Sequence, residues 1–178
     1  MNAWTRRGLI AAVSASAGLA GIWFGQSRLP ALTPATAGDA ERLEAMKLAD
    51  AEGRPMPFSA WRDRVRVVNF WATWCAPCRE EMPAFSRLSE KYAARGVQFV
   101  GISIDNADNV RRYLQEERIA YPLLIGGADA IQLSADLGNT QQAMPFTVIF
   151  SRDGKIVERK LGAYKEAELD AILQARTQ

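Results

Sequence analysis

Histidine is absent from this 178-residue chain, and cysteine occurs only twice. The first absence excludes a Cys–His nucleophile pair, a Ser–His–Asp triad and any imidazole-based zinc site. The second excludes a four-thiolate structural zinc site within one chain and a disulfide framework. No metal is therefore expected. Excess charge of one sign is also missing. Of the 22 Lys and Arg, three (Arg6, Arg7 and Arg28) stand in residues 1–37, which carry no acid, so the remaining 19 face 20 carboxylates. Such a balance gives no polyanion footprint, and no nucleic-acid partner is expected. Hydrophobic content of 48% and charged content of 24% suit a globular domain with its own core.

The two cysteines form the run Trp74-Cys75-Ala76-Pro77-Cys78. A bridge closing so short a loop restricts the unfolded chain little, so its value is chemical rather than structural. The motif follows Val65–Ala72, a β-branched and aromatic run that predicts a buried strand, and opens Ala76–Ala94, whose Met82, Phe85, Leu88 and Tyr92 have helical spacing. Cys75 thus falls at a helix N-terminus, where free N–H groups and the helix dipole favour a thiolate. It is the expected nucleophile, and Cys78, one turn deeper, the resolving thiol. Pro77 suits a first helical turn because it lacks an N–H. Trp74 is expected to flank and shield the sulfurs, and Pro83 to kink the helix.

The N-terminal segment reads as an export element. After Arg6-Arg7, residues 8–25 form an uncharged run of 18, closed by Arg28-Leu29-Pro30. Its length lies between a signal-peptide core and a spanning helix, so residues 1–30 are expected to be an uncleaved membrane anchor or a cleaved signal peptide. Ala35-Thr36-Ala37 offers a cleavage site, and Thr5-Arg6-Arg7-Gly8-Leu9-Ile10 resembles a twin-arginine signal. Either reading places the rest in the periplasm or at an exported face, with residues 31–42 as a flexible tether and 43–178 as the folded domain.

Along that domain, Leu43–Leu48 alternates like a half-buried strand and returns through Pro55–Phe58, forming an N-terminal hairpin. Ser59 is expected to cap a short helix through Trp61. Strands are predicted at Val97–Ile104, Pro122–Ile125, Phe146–Phe150 and Ile156–Leu161, the last two joined by Arg152-Asp153-Gly154. Helices are predicted at Asp105–Arg118, Ala128–Leu137 and Lys165–Gln174, with Asp105 as a cap. The pattern is an α/β layer with a central mixed sheet.

Val68-Asn69-Phe70-Trp71-Ala72-Thr73-Trp74-Cys75-Ala76-Pro77-Cys78-Arg79-Glu80-Glu81-Met82-Pro83 resembles the active-site segment of the TlpA/ResA-like family of exported, often membrane-anchored thioredoxins. The resemblance implies a thioredoxin-like fold with helices flanking the sheet and a helix–strand insertion, here near Asn106–Ile125. It also implies thiol:disulfide exchange on protein disulfides, fed by a membrane thiol reductant, with cytochrome c apoprotein as one substrate class. Met144-Pro145-Phe146-Thr147 resembles the family's cis-proline loop, which places Met144 and Pro145 beside the sulfurs, where Trp74 and Pro77 also meet substrate. The acid found six residues before the first cysteine in ordinary thioredoxins is Asn69 here, and its lysine partner falls near Gly101. The resemblance moves the acid to Glu81, a proton acceptor for Cys78, whose helical face it shares. Arg79 and Glu80 read as solvated, Trp71 as core or a flank of the site, and Asn69 as a hydrogen-bonded strand residue. The chain is expected to act as a monomer, with no cofactor beyond the Cys75–Cys78 pair.

Two other readings compete. Phe99–Asp105 also resembles peroxiredoxins, but Thr73 lies only two residues before Cys75 and the required upstream proline is missing. A non-catalytic binding module would have no use for the thiols.

Overall fold

The computed structural model describes residues 37–177. The export element lies outside the described residues, as do residues 31–36 of the expected tether. Within the described residues, no helix is long and apolar enough to cross a membrane.

Helix α1 (Ala37–Ala45) leads into β1 (Lys47–Asp50) and β2 (Pro55–Pro57), then a 3-10 turn (Phe58–Trp61) and β3 (Val65–Trp71). Helix α2 (Ala76–Tyr92), β4 (Val97–Ser103), α3 (Ala107–Glu116) and β5 (Leu123–Ile125) follow. Then come α4 (Gly127–Asp136), β6 (Phe146–Phe150), β7 (Ile156–Leu161) and α5 (Glu166–Arg176). The seven strands form one sheet in the order β2-β1-β5-β4-β3-β6-β7. β3, β4 and β5 are parallel, and β1–β2, β1–β5, β3–β6 and β6–β7 pair antiparallel. The sheet is mixed and the hairpin and the α3–β5 insertion are present, as the sequence implied.

Two expectations at the start of the domain need correction. Residues 37–42 are helical rather than a tether, and the predicted strand at Leu43–Leu48 is a helix end followed by β1. Leu43 is buried because α1 docks on the sheet face, beside Phe58, Phe70 and Leu133. Its alternation with polar neighbours reflects one turn of an amphipathic helix. Ser59 lies inside the 3-10 turn, which Pro57 precedes without a side-chain cap.

Alternation along β3 sorts the two cores, because successive side chains of a strand point to opposite faces. Val65, Val67 and Trp71 pack with Met82, Phe85, Leu88, Tyr113, Leu169 and Leu173 under α2, α3 and α5. Val68 and Phe70 pack with Leu43, Ala130 and Leu133 under α1 and α4. Arg66, on the second face, is buried with its guanidinium 5.5 Å from the Phe58 ring and 5.3 Å from the Phe150 ring, and donates to Glu44 at 2.8 Å.

Asn69 shares the parity of Val67 and Trp71, so it points toward α2. In β6, Phe146, Val148 and Phe150 join the second core and Ile149 the first, so Thr147 also faces α2. Sheet parity therefore delivers two polar side chains to the helix that carries the cysteines.

Candidate active site

Cys75 is the N-cap of α2, with φ −84° and ψ 99°, and its Sγ accepts a hydrogen bond from the Cys78 backbone N–H at 3.3 Å. The two cysteines are joined as a disulfide, with Cα atoms 5.3 Å apart. Cys78 is sealed at 0% exposure and Cys75 retains 6%. The accessible edge of the bridge is therefore Cys75. Pro77 is exposed in the first turn of α2. Pro83 lies inside the helix, where it removes one i→i−4 bond without ending it.

Trp74 is 68% exposed, so most of its indole faces solvent. Its neighbours are pinned: Cys75 by the helix cap, and Thr73 by Asp105. The indole between them is left in solvent.

Asp105 is not the cap of α3. Asn106 fills that place, accepting from the Asn109 N–H at 3.0 Å. Asp105 Oδ2 instead accepts from the Thr73 N–H at 2.9 Å and the Thr73 hydroxyl at 2.7 Å, and Oδ1 accepts from Asn109 Nδ2 at 2.9 Å. Burial raises its pKa, but hydrogen bonds from Thr73 and Asn109 outweigh that and hold it below the usual value. The inserted helix is thus tied to the loop that carries the motif. No local spacing signals this pair, because its members are 32 residues apart.

Glu81 is buried, at 3% exposure. Its Oε1 accepts from Asn69 Nδ2 at 2.9 Å and its Oε2 from the Tyr164 backbone N–H at 2.8 Å. Asn69 Nδ2 also donates to the Thr147 hydroxyl at 3.1 Å. Burial pushes the Glu81 carboxyl up to about 7 against the opposing effect of its own hydrogen bonds and of the Lys160 charge. Glu80, next along, is exposed. The reading of Asn69 as a hydrogen-bonded strand residue is met. Thr147 and the Tyr164 amide were missed, and only the position of Thr147 two residues after Pro145 could have signalled it.

The Met144–Pro145 peptide is cis. Phe70 pairs with Phe146 in the β3–β6 ladder, so Pro145 stands one step beyond, at the end of β3 that feeds the motif. Met144 packs against the core cluster that includes both cysteines. Trp71 is fully buried against Tyr113, with ring centroids 5.1 Å apart, and belongs to the core. Gly101 is the register partner of Asn69, and a Cβ there would lie 2.5 Å from Leu123 Cδ2 and 3.1 Å from Trp71 Nε1. A lysine at that position has no room.

A redoxin family profile matches residues 26–173. The thiol-disulfide oxidoreductase ResA of Bacillus cereus is 27% identical over 146 residues, covering 78% of this chain and 82% of that protein. Two solved structures are similar at TM-score 0.64. A thioredoxin-related protein from Neisseria meningitidis serogroup B is 34% identical, over 74% of this chain and 99% of that one. A thiol:disulfide interchange protein from Chlorobium tepidum is 27% identical, over 74% and 92%. With its disulfide at the head of α2 on a thioredoxin-like sheet, the chain belongs to the redoxin family and is a thiol:disulfide oxidoreductase of the ResA type acting through the Cys75–Cys78 pair.

Proposed function

We propose that the protein is an exported reductase of protein disulfides, with Cys75 as nucleophile, Cys78 as resolving thiol and Glu81 as proton acceptor. The observation that carries this is the asymmetry of the bridge. Cys75 alone keeps an accessible edge, at a helix N-terminus, while Cys78 is sealed on the buried face that Glu81 shares.

In the reduced protein, the Cys75 thiolate attacks one sulfur of the target disulfide. A mixed disulfide forms and the other target sulfur leaves as a thiolate, which takes a proton from water. Cys78 then passes its proton to the Glu81 carboxylate and attacks the Cys75 sulfur. The second target sulfur leaves as a thiolate and takes a proton from water, and the pair is left oxidised. A carboxyl with a pKa of about 7 is matched to this transfer near neutral pH. Trp74, Pro77, Met144 and Pro145 border the target segment. The backbone beside Pro145 offers edge groups to an extended chain, as in strand addition.

The Ala76-Pro77 dipeptide lacks the histidine that stabilises the thiolate in strongly oxidising relatives of this motif, which supports the reducing direction. The composition of residues 1–30 supports delivery to the exported face, where a membrane thiol reductant must restore the dithiol. The cysteine pair of a cytochrome c apoprotein is the substrate class we carry forward.

Insulin reduction by the protein, with Cys75→Ser as control, tests the reaction. Cys78→Ser should trap the mixed disulfide. Reduction surviving in Cys75→Ser, or a potential near about −120 mV, would overturn the reading.

A further inference from the structure

A groove of about 330 Å³ lies beside the motif, and the exchange step itself does not use it. The motif side contributes Trp74 and Arg79, and the inserted helix α3 contributes Arg112, Tyr113 and Glu116. The Arg79 guanidinium lies over the Tyr113 ring, 5.5 Å from its centroid. Arg112 donates to the side-chain oxygen of Asn109, a neutral acceptor. Neither arginine has a carboxylate partner among the described residues, whereas Arg87, Lys91, Arg111 and Lys160 all do. Glu116 lines the groove and the charge of Glu117 acts on the Tyr113 ring, so the groove holds charges of both signs, but its two guanidinium forks have no carboxylate bound to them, and it is walled by two aromatic rings.

We propose that this groove is a specificity site that receives an acidic side chain flanking the target disulfide in a protein substrate. The inference rests on the reductase reading above. A guanidinium is a planar fork that matches a carboxylate. Trp74 adjoins Cys75 in sequence, so a residue held in the groove sits next to the cysteine under attack. Tyr113 and Trp74 cover its methylene groups. The Asp105–Thr73 bonds keep the two walls together, so the site is formed before substrate arrives.

The test uses three synthetic peptides, each with one disulfide and identical except at the two residues beside one cysteine, which are Glu, Gln or Lys. Wild-type protein should turn over the Glu peptide with kcat/KM about three- to tenfold above the Gln peptide, through KM, as expected for one or two partly exposed ion pairs. The preference should collapse near about 1 M salt. Arg112→Gln should bring the ratio close to one, and Arg112→Glu should reverse it in favour of the Lys peptide. Equal turnover of the Glu and Gln peptides by wild type, or a Glu preference that survives Arg112→Glu, overturns the groove while leaving the reductase intact. Failure of wild type to reduce any peptide or insulin overturns both.

Discussion

Glu81 makes the stability of this protein depend on pH between about 4.5 and about 7. Its carboxyl rises from 4.5 to about 7 on folding, chiefly through burial. A raised carboxyl pKa means that the folded chain holds a proton the unfolded chain has released. Stability must therefore fall as pH rises from about 4.5 to about 7, then level off. At about 1.4 kcal/mol per unit, the full span corresponds to about 3 kcal/mol. About 2 kcal/mol of it falls between about pH 5 and 7.5, by the same linkage relation. The chain has no histidine to confuse this window. The other shifted carboxyls, Glu44, Asp50, Asp105, Asp153, Glu166 and Asp170, are all lowered and titrate below it. In the oxidised protein neither cysteine titrates.

Urea unfolding of the oxidised protein at pH 5, 6, 7 and 7.5 should show this loss in wild type and a nearly flat profile in Glu81→Gln. The amide variant can be accommodated, because Asn69 Oδ1 is buried without a partner. Rotating the Asn69 amide offers that oxygen to the NH2 of the introduced glutamine, or to the hydroxyl of protonated Glu81 in wild type. Asn69→Ala removes a hydrogen bond that lowers the carboxyl's pKa, so it should move the plateau to higher pH. Parallel profiles for wild type and Glu81→Gln across pH 5–7.5 would refute the raised pKa, and with it the matched proton acceptor.

Three further substitutions probe the frame around the site. Gly101→Ala drives a Cβ against Leu123 and Trp71 and should cost about 1–3 kcal/mol of overpacking, seen as a lower Tm; an unchanged Tm would mean the β4–β5 interface has slack. Asp105→Asn leaves a donor without an acceptor at Thr73 or Asn109 and should cost about 1–3 kcal/mol at pH 7. Because the Asp105 pKa is lowered on folding, its contribution is present above about 3.8 and lost as pH falls further, so the gap to wild type should close in acid; a constant gap counts against a charged Asp105. Glu44→Ala strips buried Arg66 of its anion and should cost about 3 kcal/mol in urea unfolding, whereas a loss under about 1 kcal/mol would show that the Phe58 and Phe150 rings suffice.

What the sequence disclosed depends on the range of the interaction that determines each feature. β3, α2 and the β6–β7 hairpin carry their own signals: a β-branched run, apolar residues at helical spacing, and Asp153-Gly154 at the turn with Gly154 at φ 82°. The start of the domain misled because α1 is short. Over so few residues one helical turn and a half-buried strand alternate alike, and only docking against Phe70 and Leu133 decides between them. The Asp105–Thr73 bond was equally out of reach, because its members are 32 positions apart. That Cys78 and Glu81 ride on one helix, with Cys75 as its cap, was legible from spacing. The surroundings of Glu81 were not. Tyr164 reaches it from 83 residues away, and Thr147 holds Asn69 from 78.

That last contrast bears on why the acid sits on α2 at all. A carboxylate at position 69 would reach Cys78 from β3 across the sheet–helix interface, at a spacing that changes whenever the two layers shift. A carboxylate at position 81 belongs to the same element as Cys78, three residues on, so its distance to the thiol we propose as resolving is set by helix geometry. The sheet then serves the acid from behind. Asn69 of β3, itself held by Thr147 of β6, and the Tyr164 amide after β7 converge on one carboxylate that has no counter-ion in hydrogen-bond contact. With two neutral donors at the carboxylate and the charge of Lys160 lowering its pKa only slightly, burial is the dominant influence. Gly101, packed against Trp71 and Leu123, leaves no room for a lysine in its place. The place of Glu81 on α2, the exclusion of a lysine at position 101 and the elevated pKa are thus one arrangement.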